Sequence, residues 1–179
     1  RALIHGGSGG LGGFAVQFAR WAGAHVAATC STPNVEYLRE LGVERVIDYR
    51  QESIAEAVAA WVPGGLDYLM DAVGVSTLPH GLDLVRPGGT FVSIPTLTDD
   101  GDIPAAAAEG AARGVKRVFS TMTDIGCGPT LTKIGELLVA GHVKLPPLRE
   151  FALREAAEAH RLIQGGHNRG KIVLKVADL

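Results

Sequence analysis

The stretch HGGSGGLG, residues 5–12, sets five glycines among eight positions directly after a short apolar run. Gly7-x-Gly9-x-x-Gly12 has the spacing of a turn that lets backbone approach a pyrophosphate and then opens a helix. In that spacing the first glycine serves the tight turn, the second the close approach, and the third the packing of helix on strand. The helix N-terminus then offers N–H groups and partial positive charge to phosphate oxygens. No Gly-Lys-Ser/Thr follows, so the loop is not of the Walker type. The same residues also fit Gly6-x-x-x-Gly10-x-Gly12, a second loop spacing that opens a helix, and the rest of the chain has to choose between the two.

The flanking sequence supplies the strand and the helix that the loop needs. Strands are predicted at 1–5, 25–30, 45–49, 67–72, 90–95 and 115–120, each a short run rich in β-branched or apolar residues. Between them, apolar residues recur at helical spacing. Leu11, Phe14, Phe18 and Ala22 share one face of a helix ended by Gly23. Leu38 and Leu41 mark a second, with Thr32 and Pro33 suited to N-cap and N1 and Gly42 as the stop. Ile54, Val58 and Trp61 mark a third, ended by Pro63-Gly64-Gly65. Leu78, Leu82 and Val85 mark a fourth, ended by Pro87-Gly88-Gly89. This alternation predicts right-handed βαβ crossovers and a parallel sheet covered on both faces. The fold class is α/β, a Rossmann doubly wound parallel sheet with six core strands in the order 3-2-1-4-5-6. Beyond strand six the pattern predicts helices at 131–140 and 154–164 and a last strand at 171–176, and 98–114 reads as an acidic loop followed by a short Ala-rich helix.

Composition narrows the partners. The 179 residues, a single domain's worth, carry a net charge of −2 and no Lys/Arg run, so neither nucleic acid nor an anionic membrane surface is expected as a partner. No apolar stretch approaches the roughly 18 residues of a membrane span. Cys30 and Cys127, the two cysteines, have no CxxC or metal-ligand spacing, read as reduced thiols, and place the protein in the cytoplasm. No His/Cys/Asp/Glu cluster has metal-ligand spacing, so no metal is expected. Because Arg1 already begins a strand, we read the chain as a fragment of a longer polypeptide.

The end of strand two bears on which dinucleotide is bound. An NAD site carries Asp or Glu there for the ribose 2′-hydroxyl, whereas this chain has Ala28-Thr29-Cys30-Ser31-Thr32. Ser31 and Thr32 can donate to a 2′-phosphate, Arg50 is the nearest cation in sequence, and Tyr49 can stack or bond, so NADP(H) is favoured over NAD(H). Ser31 and Thr32 can also simply cap the following helix.

Chemistry separates the two loop spacings. Gly6-x-x-x-Gly10-x-Gly12 resembles the loop of short-chain dehydrogenases, which use a Tyr-x-x-x-Lys pair, but the residues four places after the three tyrosines are Leu41, Ser53 and Ala72. Residues 5–29, then LRELGVERVIDY, LDYLMDAVG, RPGGTFVSIP and EAAEAHRLIQGGHNRGKIVLKV, resemble in order the cofactor domain of medium-chain dehydrogenase/reductases. The nearest group is the zinc-independent, zeta-crystallin-like quinone oxidoreductases with their enoyl-reductase relatives.

The resemblance implies hydride transfer from NADPH to a small-molecule acceptor, a quinone, enone or enoyl thioester. It implies that Gly7, Ser8, Gly9, Gly10, Leu11 and Gly12 form the pyrophosphate cradle and that Ser31 and Tyr49 lie by the 2′-phosphate. Asn34 stands where the family often has lysine, which weakens the NADP(H) preference without reversing it. Val73 and Gly74 would border the nicotinamide ribose, Ile94 and Pro95 would follow along the cofactor, and Ser120, Thr121 and Met122 would lie near the nicotinamide. Asn168, Arg169 and Lys171 would approach from the far side. The resemblance also implies a preceding GroES-like domain holding most of the substrate cleft, hence no catalytic residue in this chain, and a homodimer through the strand-six sheet edge. A short-chain-type enzyme, an enoyl-reductase module of a larger synthase and a non-catalytic nucleotide sensor share the fold and stay open.

The remaining polar and aromatic residues have structural readings. His5 is expected to pack with its ring bonded to nearby backbone, and His160 to pack on its helix. His142 and His167 fall in loops, and Cys127 reads as an ordinary loop cysteine. Asp71 is expected to be buried and to bond neighbouring loop backbone. Trp21 and Trp61 are expected between helix and sheet.

Overall fold

The structure is a computed structural model that describes residues 1–74, 76–94, 103–120, 128–166 and 168–177. Strands β1 (Ala2–His5), β2 (Val26–Cys30), β3 (Arg45–Asp48), β4 (Leu66–Asp71), β5 (Val85–Ser93) and β6 (Lys116–Phe119) form one sheet. Its order is β3-β2-β1-β4-β5-β6, as the sequence predicts, and every pair is parallel. Helices α1 (Gly12–Trp21), α2 (Val35–Glu40), α3 (Ile54–Trp61), α4 (Ile103–Ala112), α5 (Gly128–Val139) and α6 (Ala156–Gln164) complete the chain. Among the described residues no helix is long and apolar enough to cross a membrane.

Every residue of β1 and β2 is buried, because a strand covered on both faces needs apolar side chains at both parities. Successive residues then divide between two cores. Leu3, Ala27, Ile47 and Leu69 pack with Val58 of α3 and Phe91 on one face. Ile4, Ala28, Val46 and Met70 pack with Val16 of α1 and Leu38 of α2 on the other.

Several expectations needed correction. The fourth helix is not formed; a single 3-10 turn, Gly81–Leu84, leads straight into β5. The Pro87-Gly88-Gly89 read as its stop lies inside β5, where the pairing with β4 slips between Leu66 and Tyr68. Glycines at such a bulge let the strand re-enter register without side-chain collision. Helix α1 buries Gly12, Gly13, Val16 and Gln17, not the Leu11–Phe14–Phe18–Ala22 face. Small residues bring its axis close to the sheet and leave Phe14 and Phe18 half-buried, stacked on each other at 6.0 Å. Trp21, at the end of that helix, is 50% exposed, whereas Trp61 does pack against the core. His160 is exposed on α6. Thr32 and Pro33 begin a 3-10 turn, Thr32–Asn34, ahead of α2, with Ser31 before it in extended conformation.

A seventh strand escaped the sequence reading. β7 (Leu148–Ala152) pairs in parallel with β8 (Lys171–Lys175) in a second, two-stranded sheet. Only Phe151 of β7 is buried, so the segment carries no alternating apolar pattern. Gln17 ties this part of the chain to α1: its Nε2 donates to the carbonyls of Gly13 (3.0 Å) and Lys144 (3.1 Å), and its Oε1 accepts from the Lys144 N–H at 2.7 Å.

Candidate functional site

The carboxyl ends of β1, β2 and β4 converge on the glycine turn. The Gly7 N–H donates to the Thr29 carbonyl at 3.0 Å and the Gly9 N–H to the Gly6 carbonyl at 3.1 Å, which curls the chain back over the strand end. The positive backbone angle of this turn belongs to Gly6 (φ 81°), one residue earlier than the Gly7-x-Gly9-x-x-Gly12 spacing implies. A side chain at Gly6 would stand 2.6 Å from Cγ2 of Val73, and one at Gly12 would strike the Gly6 carbonyl. Helix α1 starts with no side-chain cap and no acidic residue in its first turn. No hydrogen bond among the described residues uses the N–H of Leu11 or Gly12. Free donors at the positive end of a helix, faced by bare backbone, suit an anionic group.

Residues 168–171 lie directly on this turn. The Gly170 N–H donates to the Ser8 carbonyl at 3.2 Å, and Gly9 and Gly170 form a parallel bridge. Lys171 carbons Cδ and Cε occupy the space, 2.6 Å away, that a side chain at Gly10 would need. The Arg169 guanidinium donates to Asn34 Oδ1 (3.0 Å) and to the Pro33 carbonyl (2.8 Å), and sits 5.3 Å from the Tyr37 ring centroid. Asn168 Nδ2 donates to the Gly170 carbonyl at 3.2 Å. The cation that reaches the 31–34 turn is therefore Arg169. The Arg50 side chain is exposed, and the Arg50 backbone N–H donates to Asp48 Oδ1.

At the end of β2, Ser31 and Asn34 are buried, and Ser31 Oγ accepts from Asn34 Nδ2 at 3.3 Å, keeping its own proton for another acceptor. Tyr49 is exposed, its backbone N–H donating to the Cys30 carbonyl at 3.2 Å. One carboxylate went unnoticed in the sequence. Asp48, ending β3, stands in register with Cys30, and a comparison of adjacent strand ends could have found it. Burial, and then the Asp48 charge, push the Cys30 thiol up to about 11. Burial likewise raises Tyr37, against the opposing effect of Arg169.

The end of β4 is shaped by Asp71. It is 1% exposed, and its Oδ1 accepts from the N–H groups of Val73 and Gly74, both at 2.9 Å, so it bonds loop backbone as expected. Its Oδ2 has no partner among the described residues. His5, in register with Asp71, is buried as expected, but its ring bonds the hydroxyls of Thr29 (2.8 Å) and Thr77 (2.9 Å) in place of backbone. Burial lowers its pKa, with Asp71 opposing. Ile94 continues the same rim, its N–H on the Asp71 carbonyl, and the Ser120 N–H donates to the Ser93 carbonyl. Pro95, Thr121, Met122, Cys127, His167 and the acidic stretch 98–102 lie outside the described residues. Among the described residues no group of three His, Cys, Asp or Glu side chains is placed to hold a metal ion.

The family model for zinc-binding dehydrogenases matches residues 41–174. The chain belongs to that family. It is of the medium-chain dehydrogenase/reductase type, a group of oxidoreductases, as the ordered motifs implied. A mitochondrial NAD(P)H oxidoreductase of Mus musculus is 35% identical over 98% of this chain and 48% of its own length. A trans-enoyl reductase of Aspergillus terreus is 29% identical over 98% of this chain and 51% of its own. The solved quinone oxidoreductase of Coxiella burnetii superposes with a TM-score of 0.84 at 30% identity, covering 98% of this chain and 52% of that one. The chain thus spans about half the length of the relatives it matches.

Proposed function

We propose that this chain is the NADP(H)-binding domain of an oxidoreductase that moves hydride from NADPH to a quinone, enone or enoyl acceptor. The observation that carries the reading is the joint between the glycine turn and residues 168–171, which sets Arg169 against Asn34 and Pro33 at one end of the turn. Bare backbone at Gly6, Gly10 and Gly12, together with N–H groups of Leu11 and Gly12 that have no acceptor among the described residues, fits a pyrophosphate. Ser31, Asn34, Tyr49 and Arg169 would hold the adenosine 2′-phosphate, and Val73 and Gly74 would border the nicotinamide ribose. When bound, the nicotinamide supplies the hydride. The part of this chain is to bind the phosphates, orient the ribose against the turn held by Asp71, and keep one wall of the cleft rigid.

The quinone oxidoreductase and trans-enoyl reductase relatives support both acceptor classes. We place the acceptor-selecting residues in a GroES-like domain preceding this one. The exposed apolar side chains of Leu148, Val173 and Leu174 on the second sheet, and of Val176 just after it, support a surface covered by another part of the protein. The domain is assigned to the zinc-independent branch and to the cytoplasm. Metal analysis and cell fractionation of the whole protein test those two points, with zinc at one equivalent or a mitochondrial location as the contrary results. The β6 edge supports a homodimer; a monomer by light scattering would remove it.

The deciding experiment is titration of residues 1–179 with NADPH and NADH. We expect NADPH to bind at least about tenfold tighter, and Arg169→Ala to abolish most of that difference, on the scale of one charge-assisted hydrogen-bonded contact. Equal affinity for the two dinucleotides in the unaltered protein would sink the assignment.

A further inference from the structure

We propose that His5 is a positioning residue, held as the neutral Nε2–H imidazole, which wires the glycine turn to the 74–77 turn through Thr29 and Thr77. It thereby sets the separation of the two walls between which the dinucleotide lies. The inference rests on the cofactor site proposed above.

The proton positions follow from the ends of the chain of hydrogen bonds. A carbonyl only accepts, so Thr77 Oγ1 donates to the Gly74 carbonyl at 2.8 Å. With its single proton committed, Thr77 can only accept from His5 Nε2, 2.9 Å away, so Nε2 carries the hydrogen. In the neutral ring Nδ1 is then bare, and it accepts from the Thr29 hydroxyl at 2.8 Å. Thr29 Oγ1 in turn accepts the Gly6 N–H at 2.9 Å. Four hydrogen bonds run in one direction, Gly6 to Thr29 to His5 to Thr77 to Gly74, and each group is used in the sense it can satisfy.

Other states of the ring break the chain. The Nδ1–H tautomer turns a bare Nε2 toward a hydroxyl with no proton to give. The imidazolium leaves the Thr29 proton without an acceptor. Burial of His5 opposes the charge in addition, against the pull of Asp71.

The two connected turns also touch, since a side chain at Gly6 would collide with Val73. Asp71 holds Val73 and Gly74 from below through two backbone N–H groups. The wire crosses from β1 to β4, where the strand order reverses and a ligand crevice is expected in such sheets. Thr29 is fully buried while Thr77 is exposed, so the chain passes from the interior to the rim of the crevice. A satisfied polar chain of this kind, buried at its Thr29 end, holds one geometry where an apolar filler would allow several.

The test has two arms on residues 1–179. Long-range proton–nitrogen NMR of histidine-labelled protein, with the His5 signals assigned by their loss in His5→Phe, should show an Nε2–H neutral ring at pH 7. An Nδ1–H ring or an imidazolium overturns the proposal. In the second arm NADPH is compared with 2′,5′-ADP, which lacks the nicotinamide half. Thr77→Val should weaken NADPH by about tenfold while 2′,5′-ADP stays within about twofold, and Thr77→Ser should restore NADPH binding. Equal losses for both ligands, or no rescue by serine, overturn the positioning role. If the unaltered protein binds neither ligand, the cofactor reading itself falls, and the ring's protonation pattern still decides the wire.

Discussion

In the six-stranded sheet, β1 and β2 bury every residue, while β8, a parallel strand of similar length, has one half-buried side chain among five. The two sheets share a hydrogen-bonding pattern and differ in what they do with it. The first is the core that defines the domain. The second, with α5 and α6, reaches the body of the domain through Gln17 and Lys144 and through residues 168–171 on the glycine turn. It leaves Leu131, Val139, Leu145, Leu153 and Ile163 exposed. The first region therefore carries both the core and the glycine turn, and the second adds residues 168–171 to that turn.

The largest contrast is expected from truncations. Leu38→Ala or Leu69→Ala removes a fully buried side chain and should cost about 2–5 kcal/mol in urea unfolding. Val139→Ala or Leu174→Ala should change stability by less than about 0.5 kcal/mol. Comparable losses in both regions would erase the distinction. Next comes the joint between them. Gln17→Leu leaves the Lys144 N–H and carbonyl without their partner, and should cost about 1–3 kcal/mol. Hydrogen exchange should then rise across 128–177 while the protection of β1 and β2 is retained; uniform loss of protection would show the two regions to be one unit.

How much of this could be read in the sequence follows the same division. The sheet, its order and the glycine turn were legible because βαβ units announce themselves through local periodicity and punctuating glycines. The buried face of α1 was misjudged because Gly12, Gly13 and Gln17 make it, and no hydrophobicity pattern marks such residues. β7 was invisible because a strand with one buried residue has no period. The placement of Arg169 on Asn34 spans 135 positions and exists only in three dimensions. Thr29 and Thr77 look like ordinary strand and loop residues until His5 lies between them.

Two smaller effects sharpen the comparison further. Gly135 lies within α5 with nothing near the position of an added methyl, so Gly135→Ala should stabilise the C-terminal region by about 1 kcal/mol. The same change at Gly12, against the Gly6 carbonyl, should destabilise the protein and weaken nucleotide binding. A further effect is confined to alkaline solution. Cys30 in the fold holds its proton up to about 11, while an unfolded thiol loses it near 8.5, so deprotonation favours the unfolded chain in between. Stability should be unaffected by this group below pH 8 and decline from about pH 9 to 11, and Cys30→Ala should flatten that decline.

The bridge from Gly170 to Gly9 has a consequence for synthesis. The chain leaves the ribosome N-terminus first, at about 5–20 residues per second. The sheet, complete by Phe119, can form while the partner of the glycine turn is still untranslated. A nascent chain of that length would carry an open turn for several seconds, and only the emergence of residues 168–171 would close it. A chain stalled or truncated before Asn168 would lack the residues that seat on the glycine turn, whatever the state of its core.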